Sequence, residues 1–243
     1  MSVSPVGMLA RRDTEVRELM DDPDCDPERL RRTLERFAIV NRLVAGWGRA
    51  YRHHVRPALA ARAASAAGPL RILDIGCGGG DVLRHLVVLA RADGFAVQAL
   101  GIDPDARSLA VATSAPVMPG VRYRQAHSTD LVAEGAQFDV VVSNHVLHHL
   151  TDAERDDVFA DSERLASRVA VHSDIERSAV AYAGYAVAIL PFSAGSFLRT
   201  DGLRSIRRSH TRDELADVVP PGWTVERGPF RVLAVHRPHR GTP

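Results

Sequence analysis

Four glycines in the five positions 76–80, directly behind the aliphatic run ILDI (72–75) and directly ahead of DVLRHL (81–86), constrain this chain more than any other feature. Glycine removes the Cβ and admits positive φ, so a strand that ends in such a cluster and restarts as a helix brings bare backbone against a ligand. The surrounding sequence repeats the same rhythm. Short apolar runs at 70–75, 96–102, 121–125, 138–144 and 168–175 predict strands, and amphipathic stretches at 81–92, 105–115 and 151–166 predict the helices between them. Such alternation predicts an α/β fold with a parallel sheet covered by helices on both faces, and ligands bind these sheets beyond the carboxyl ends of the strands.

The flanks differ. Residues 13–22 and 27–50 read as helices; in the second, Leu30, Leu34, Phe37, Val40 and Val44 recur at spacings of three and four behind Asp26 as N-cap and Pro27 at the first helical position. They predict an N-terminal helical cap over 1–60, leaving 61–243 as the main domain. Residues 178–203 are strongly apolar but interrupted by Pro191 and glycines, which predicts a helix and loop inserted after the fifth strand, a substrate-side segment over 178–208. A last helix at 211–219 precedes two strand-like runs around RGPF (227–230), a hairpin.

Composition narrows the partners. A net charge of +1 gives no general attraction to nucleic acid or anionic lipid, and neither is expected as a partner. No run reaches the roughly 18 apolar residues of a membrane span. Cys25 and Cys77, in unrelated contexts, are poor material for a disulfide framework, which fits a cytoplasmic protein.

Spacing then discriminates between nucleotide ligands. The G-x-G-x-x-G dinucleotide fingerprint starting at Gly76 and Gly78 would need its third glycine where Asp81 stands, and a phosphate loop needs a lysine that the chain lacks altogether. What remains is D-x-G-x-G-x-G: Asp74, Gly76, Gly78 and Gly80. Together with LGIDPDARSLAVA (100–112), RQAHSTDL (124–131) and FDVVVSNHVLHHLTD (138–152), it resembles the class I S-adenosylmethionine-dependent methyltransferases over roughly residues 68–175, in their small-molecule O-methyltransferase and ubiquinone/menaquinone branch. The resemblance implies a Rossmann-like, doubly wound, mostly parallel seven-stranded sheet with an antiparallel C-terminal strand, and S-adenosylmethionine as cofactor. It implies that Asp103 accepts from both ribose hydroxyls, that the backbone of Gly76 and Gly78 lies beside the amino-acid moiety, and that Asp130 meets the adenine amino group. Ser143 and Asn144 would face the ammonium; Asp74, Gly80 and Pro104 complete the expected cofactor set. Read singly, Asp74 and Asp103 serve equally as helix caps and Asp130 as a surface turn residue.

The acceptor end rests on His145, His148 and His149 after the fourth strand; if that segment is helical, His145 shares a face with the other two. The resemblance implies a histidine general base here, paired with an acid at the end of the fifth strand, where Asp174 stands. It also offers a metal, because ubiquinone-pathway O-methyltransferases hold a divalent ion with acidic and histidine groups in this segment; here His145 and His148 replace the carboxylates, which suits an imidazole-binding metal better than magnesium. The base reading is preferred and no residue is assigned as a metal ligand. Tyr182, Tyr185, Ile189, Leu190, Phe192 and Phe197, with Phe37 and Trp47, suggest an apolar pocket for an aromatic small molecule, or else the core of docked helices or a homodimer contact. Arg204, Arg207 and Arg208 would pair an acceptor carboxylate or form a solvated face. The function expected is methyl transfer to a hydroxyl of a phenolic or quinol-like molecule, as in secondary or lipid-quinone metabolism. C- or N-methylation and a nicotinamide oxidoreductase are the alternatives.

Overall fold

The structure, a computed structural model, describes residues 5–44, 46–65 and 68–238. A single turn, α1 (Pro5–Met8), leads into an extended strap, then α2 (Pro27–Val44), α3 (Trp47–Ala50), a π-helical turn (Tyr51–Val55) and α4 (Arg56–Ala63). The alternating region follows: β1 (Leu70–Ile75), α5 (Asp81–Ala92), β2 (Val97–Asp103), α6 (Ala106–Ser114), β3 (Val121–Gln125), α7 (Ser128–Ala133), β4 (Phe138–Asn144), α8 (Asp152–Leu165) and β5 (Ala166–Ile175). The insert contributes α9 (Ala179–Ala188), a 3₁₀ turn (Leu190–Phe192) and α10 (Leu198–Arg208). The chain closes with α11 (Arg212–Val218), β6 (Trp223–Gly228) and β7 (Arg231–His236).

All seven strands form one sheet in the order β3-β2-β1-β4-β5-β7-β6, with β1 to β5 parallel and β7 antiparallel to both neighbours. Period-two alternation divides the core. Ile72, Val140, Val142 and Val171 pack with Leu83, Leu86 and Val87 of α5, while Leu73, Val141 and Ala170 pack with Phe159, Leu165 and Leu215. This doubly covered sheet fixes the carboxyl ends of β1, β2, β4 and β5 on one edge of the molecule. Among the described residues no helix is long and apolar enough to cross a membrane.

The N-terminal region departs from expectation. Residues 13–22 are not helical; their amides are spent on α10 instead, Leu19 and Met20 donating to the Asp201 carboxylate at 2.8 and 3.0 Å and Asp13 donating to the Arg207 carbonyl at 3.0 Å. The helix expected over 27–50 stops at Val44 and restarts at Trp47 beyond Gly46, whose φ of 62° breaks the helical path. Trp47, Tyr51, Val55 and Leu59 are buried in the same core as β1 and α5.

Candidate active site

The strand ends open into a cavity of about 920 Å³ walled by the glycine turn, residues 103–105, residues 144–149 and the strap. Asp74, Gly76, Gly78, Asp103, Pro104, Asn144, His145, His148 and His149 of the predicted set all line it.

On the glycine side, Gly76 has φ 66°, and a Cβ there would lie 2.6 Å from Cγ2 of Val146, so the turn closes on the segment after β4 only with bare backbone. The Gly78 amide donates to Asp103 Oδ2 at 2.9 Å, and the Asp105 amide donates to Oδ1 at 2.9 Å. Two parallel strands are thereby tied tip to tip, and each Asp103 oxygen keeps a lone pair for a further donor. Burial pushes the Asp103 carboxyl above its ordinary value. Asp74 is 1 % exposed and neither carboxylate oxygen has a hydrogen-bond partner among the described residues. Its pKa stands well above the usual carboxylate range through burial, with the charges of Asp81 and Asp103 adding to it. An unpartnered buried carboxyl beside exposed glycine backbone is suited to a cationic or hydrogen-donating ligand group.

Gly80 and Asp130 stand apart from the cavity lining. Gly80, with φ 75°, caps α5 beneath the Tyr123 ring, which occupies the space a Cβ would need. Asp130 is exposed and spends its carboxylate on the first turn of α7, accepting from the His127 amide at 2.8 Å.

At the opposite wall the three histidines separate. The segment 145–149 is a turn rather than a helix, because the His145 amide extends the β4–β5 ladder by donating to the Ser173 carbonyl at 2.9 Å. His145 takes a left-handed φ of 60°, and its Nε2 accepts from the Arg231 guanidinium at 2.8 Å. Burial, reinforced by the Arg231 charge, holds its pKa well below the ordinary histidine value, so the ring is neutral. Asn144 Oδ1 accepts from Trp47 Nε1 and from Arg231, at 2.9 and 2.8 Å.

His148 is 1 % exposed, with Nδ1 2.6 Å from Asp174 Oδ1 and Nε2 3.3 Å from Glu18 Oε1. Burial alone would lower its pKa, but Asp174 and Glu18 outweigh it and push the ring up to about 10. His149 is the more open ring, Nδ1 3.2 Å from Asp21 Oδ2 and Nε2 3.8 Å from Glu18 Oε1. His172, one residue pair from the strand end, is a core residue: it bonds Ser143 at 2.6 Å and stacks on Trp223, and burial lowers its pKa to about 3.

Glu18 and Asp21 carry no sequence signal; the strap brings them here through tertiary contacts alone. Arg208, read as an acceptor ligand or surface charge, is a fastener, donating to the carbonyls of His148, His149 and Val16. Arg207 pairs with Asp13 and Arg204 donates to the Arg17 carbonyl. The expected apolar pocket is not assembled at this cavity. Phe37 lines it, but Tyr182, Tyr185, Ile189, Leu190, Phe192 and Phe197 do not; Phe197 packs with Leu30 and Leu34, and Tyr185 donates to the Leu198 carbonyl.

Residues 72–168 match the family model described as "Methyltransferase domain". The ubiquinone biosynthesis O-methyltransferase of Azorhizobium caulinodans is 41% identical over 85 residues, 34% of this chain and 31% of that protein. Its counterpart in Cereibacter sphaeroides is 38% identical over 85 residues, 34% of this chain and 32% of the relative. The match thus spans about a third of the length of these curated relatives. Among solved structures, the plantazolicin methyltransferase BpumL in complex with SAH superposes with a TM-score of 0.52 at 12% identity, covering 87% of this chain and 96% of that one. Its complex with a pentazolic desmethylPZN analog and SAH gives 0.53 at 11% identity, over 87% and 97%. These likenesses show the fold.

Proposed function

Residues 72–168 form a methyltransferase domain of the class I S-adenosylmethionine-dependent family, and from that premise we propose that the chain transfers the methyl group of S-adenosylmethionine to a hydroxyl oxygen of a small, phenolic or quinol-like molecule. The observation that carries this reading is that one cavity is lined both by the Gly76–Asp103 cradle and by His148, whose ring the buried Asp174 holds from behind, Nδ1 lying 2.6 Å from Oδ1.

The cradle fits the cofactor's chemistry. S-adenosylmethionine has no phosphates; it presents an ammonium, a carboxylate, two ribose hydroxyls and an adenine. The Asp74 carboxyl and the open backbone of 76–79 suit the amino-acid end, and the remaining lone pairs of Asp103 suit the ribose hydroxyls. Hydrogen bonds to a charged acceptor contribute about 1.5–3 kcal/mol each. Pro104 and Asp105 border the site beyond Asp103. Asp130, committed to its own helix, and Gly80, committed to Tyr123, have no part in this assignment.

Transfer from a sulfonium is an in-line displacement in which the protein's main contribution is to hold the acceptor oxygen near the methyl carbon. The carbon–sulfur bond breaks as the carbon–oxygen bond forms, and the hydroxyl proton must leave. The histidine–carboxylate cluster takes it: a neutral His148 of pKa about 10 accepts from a phenol of pKa about 10 with almost no free-energy difference. Support for an oxygen acceptor comes also from the curated relatives, named for O-methylation in ubiquinone biosynthesis. The test is incubation with labelled S-adenosylmethionine and a panel of phenols, quinols and alkylresorcinols, followed by mass detection. Products one methylene heavier and stable as ethers support the reading; methylation at carbon or nitrogen only contradicts it.

A further inference from the structure

We propose that Asn144 and His145, aligned by the buried Arg231, form a two-donor clamp for a carbonyl or carboxylate oxygen of the methyl acceptor, which is then a phenol bearing that oxygen next to its reacting hydroxyl. One Arg231 nitrogen donates both to Asn144 Oδ1 and to His145 Nε2, each at 2.8 Å. Trp47 Nε1 donates to the same Asn144 oxygen at 2.9 Å. A guanidinium and an indole N–H can only donate, which fixes the roles of the atoms they meet. The shared Asn144 atom is the amide oxygen, so its Nδ2 is left over. His145 Nε2 carries the lone pair, so the neutral ring bears its proton on Nδ1.

Both residues line the cavity. Among the described residues neither Asn144 Nδ2 nor His145 Nδ1 has a hydrogen-bond partner, and neither atom is sealed from the cavity. The Asn144 side chain therefore has no free oxygen for the cofactor's ammonium; it offers N–H instead. Burial and the Arg231 charge keep the His145 ring neutral, so it too offers a single N–H. Two fixed donors with a cation behind them match an oxygen that only accepts. A carbonyl or carboxylate does so with its lone pairs, whereas a hydroxyl must also place its own proton.

Two costs built into this corner point the same way. Arg231 is 5% exposed, its hydrogen-bond partners are neutral, and its Nη1 is buried without a partner among the described residues. A buried cation held only by neutral groups is expensive. His145 and Phe230 are the non-glycine residues at positive φ among the described residues, His145 at 60°. Such strain persists where the surroundings over-determine it, and it clusters at ligand sites. The clamp also stands beside the base. The His145 and His148 ring centroids lie 6.3 Å apart, a gap that hydrogen bonds of about 2.8 Å bridge to two oxygens on neighbouring carbons. Placing the reacting hydroxyl at His148 rests on the methyltransferase reading above; the donor clamp does not.

The test is calorimetric titration of the full chain with 2-hydroxyacetophenone and with its 3-hydroxy isomer, each with and without adenosylhomocysteine. The parent chain should bind the 2-hydroxy isomer at least about 10-fold more tightly. Asn144→Asp keeps the acceptor for Trp47 and Arg231 but turns the free donor into an acceptor. His145→Asn tolerates the left-handed backbone and ends short of the ring nitrogen. Each should cut the preference below about 3-fold, with the loss falling on the 2-hydroxy isomer and not on adenosylhomocysteine; circular dichroism melts confirm that each variant folds. Nitrogen-15 spectra at pH 6 should show His145 neutral and protonated on Nδ1 alone, and Arg231→Met should replace that single form by a mixture. The proposal is overturned by equal binding of the two isomers, by a preference that survives both variants, or by an Nε2-protonated His145 in the parent. A loss that falls on adenosylhomocysteine also overturns it, giving the donors to the cofactor's carboxylate instead. Adenosylhomocysteine that never binds sinks the methyltransferase reading, and the isomer comparison without it still decides the clamp.

Discussion

His148 and Asp174 meet twice: the ring Nδ1 lies 2.6 Å from Oδ1, and the His148 backbone amide donates to Oδ2 at 2.9 Å. One carboxylate on β5 therefore fixes both the main chain and the ring of the turn after β4. Asp174→Asn keeps the shape and removes the charge. General acid–base assistance is typically worth about 10²–10⁴-fold, so kcat for O-methylation should fall by that range while calorimetric affinity for S-adenosylmethionine holds. An equal loss of cofactor affinity would assign Asp174 to the cradle instead.

The same pair predicts opposite pH dependences for rate and stability. Burial opposes, but the carboxylates of Asp174 and Glu18 push His148 up to about 10. Only the neutral ring accepts a proton, so the rate should climb with near-unit slope from neutral pH toward about 10. The unfolded chain releases this proton near 6.5. Between about 6.5 and 10 the folded state thus binds more protons than the unfolded state, and this contribution, complete below 6.5, is lost as pH rises. A pH–rate profile and urea melts across that window check both signs; a rate plateau already reached at pH 7 contradicts the assignment.

Gly80→Ala tests the turn itself. The substitution places a Cβ in the Tyr123 ring at a φ of 75°, and strain of this kind costs about 1–3 kcal/mol before the clash is counted. For a chain of this size each kcal/mol moves Tm by about 2–4 °C, so a drop of several degrees is expected by calorimetric melting. Val146→Ala should be milder, since it removes the neighbour of Gly76 without straining backbone.

Asp103→Ala removes the acceptor proposed for the ribose hydroxyls. Two hydrogen bonds at the low end of the charged range amount to about 3 kcal/mol, more than about 100-fold in Kd. Part of that loss comes from releasing the Gly78 and Asp105 amides. Competition binding with adenosylhomocysteine should show the same loss as the methyl donor, because the two share the ribose.

The alternating sheet was legible because its signals are local: apolar runs such as Ile72–Ile75 carry the strand period, and the glycines mark the turn. The strap was not. Residues 13–22 have the charge-and-apolar pattern of a helix, yet Asp201 and Arg207 compete for their backbone groups from α10. Glu18 becomes a site residue only through that docking, so no spacing in the sequence announces it. Helical spacing would set His145 on one face with its neighbours, and its ladder bond to Ser173 forbids that. The aromatic insert misled for a related reason: an apolar segment reads alike whether it lines a pocket or, like Phe197 against Leu30 and Leu34, closes a small core.

The most direct measurement is calorimetric titration of the purified chain with S-adenosylmethionine and, separately, with a pyridine dinucleotide. Saturable one-to-one binding of the sulfonium nucleoside, weakened more than about 100-fold by Asp103→Ala, is expected, with no heat from the dinucleotide. Silence toward the sulfonium nucleoside at millimolar concentration, with ready uptake of the dinucleotide, contradicts it.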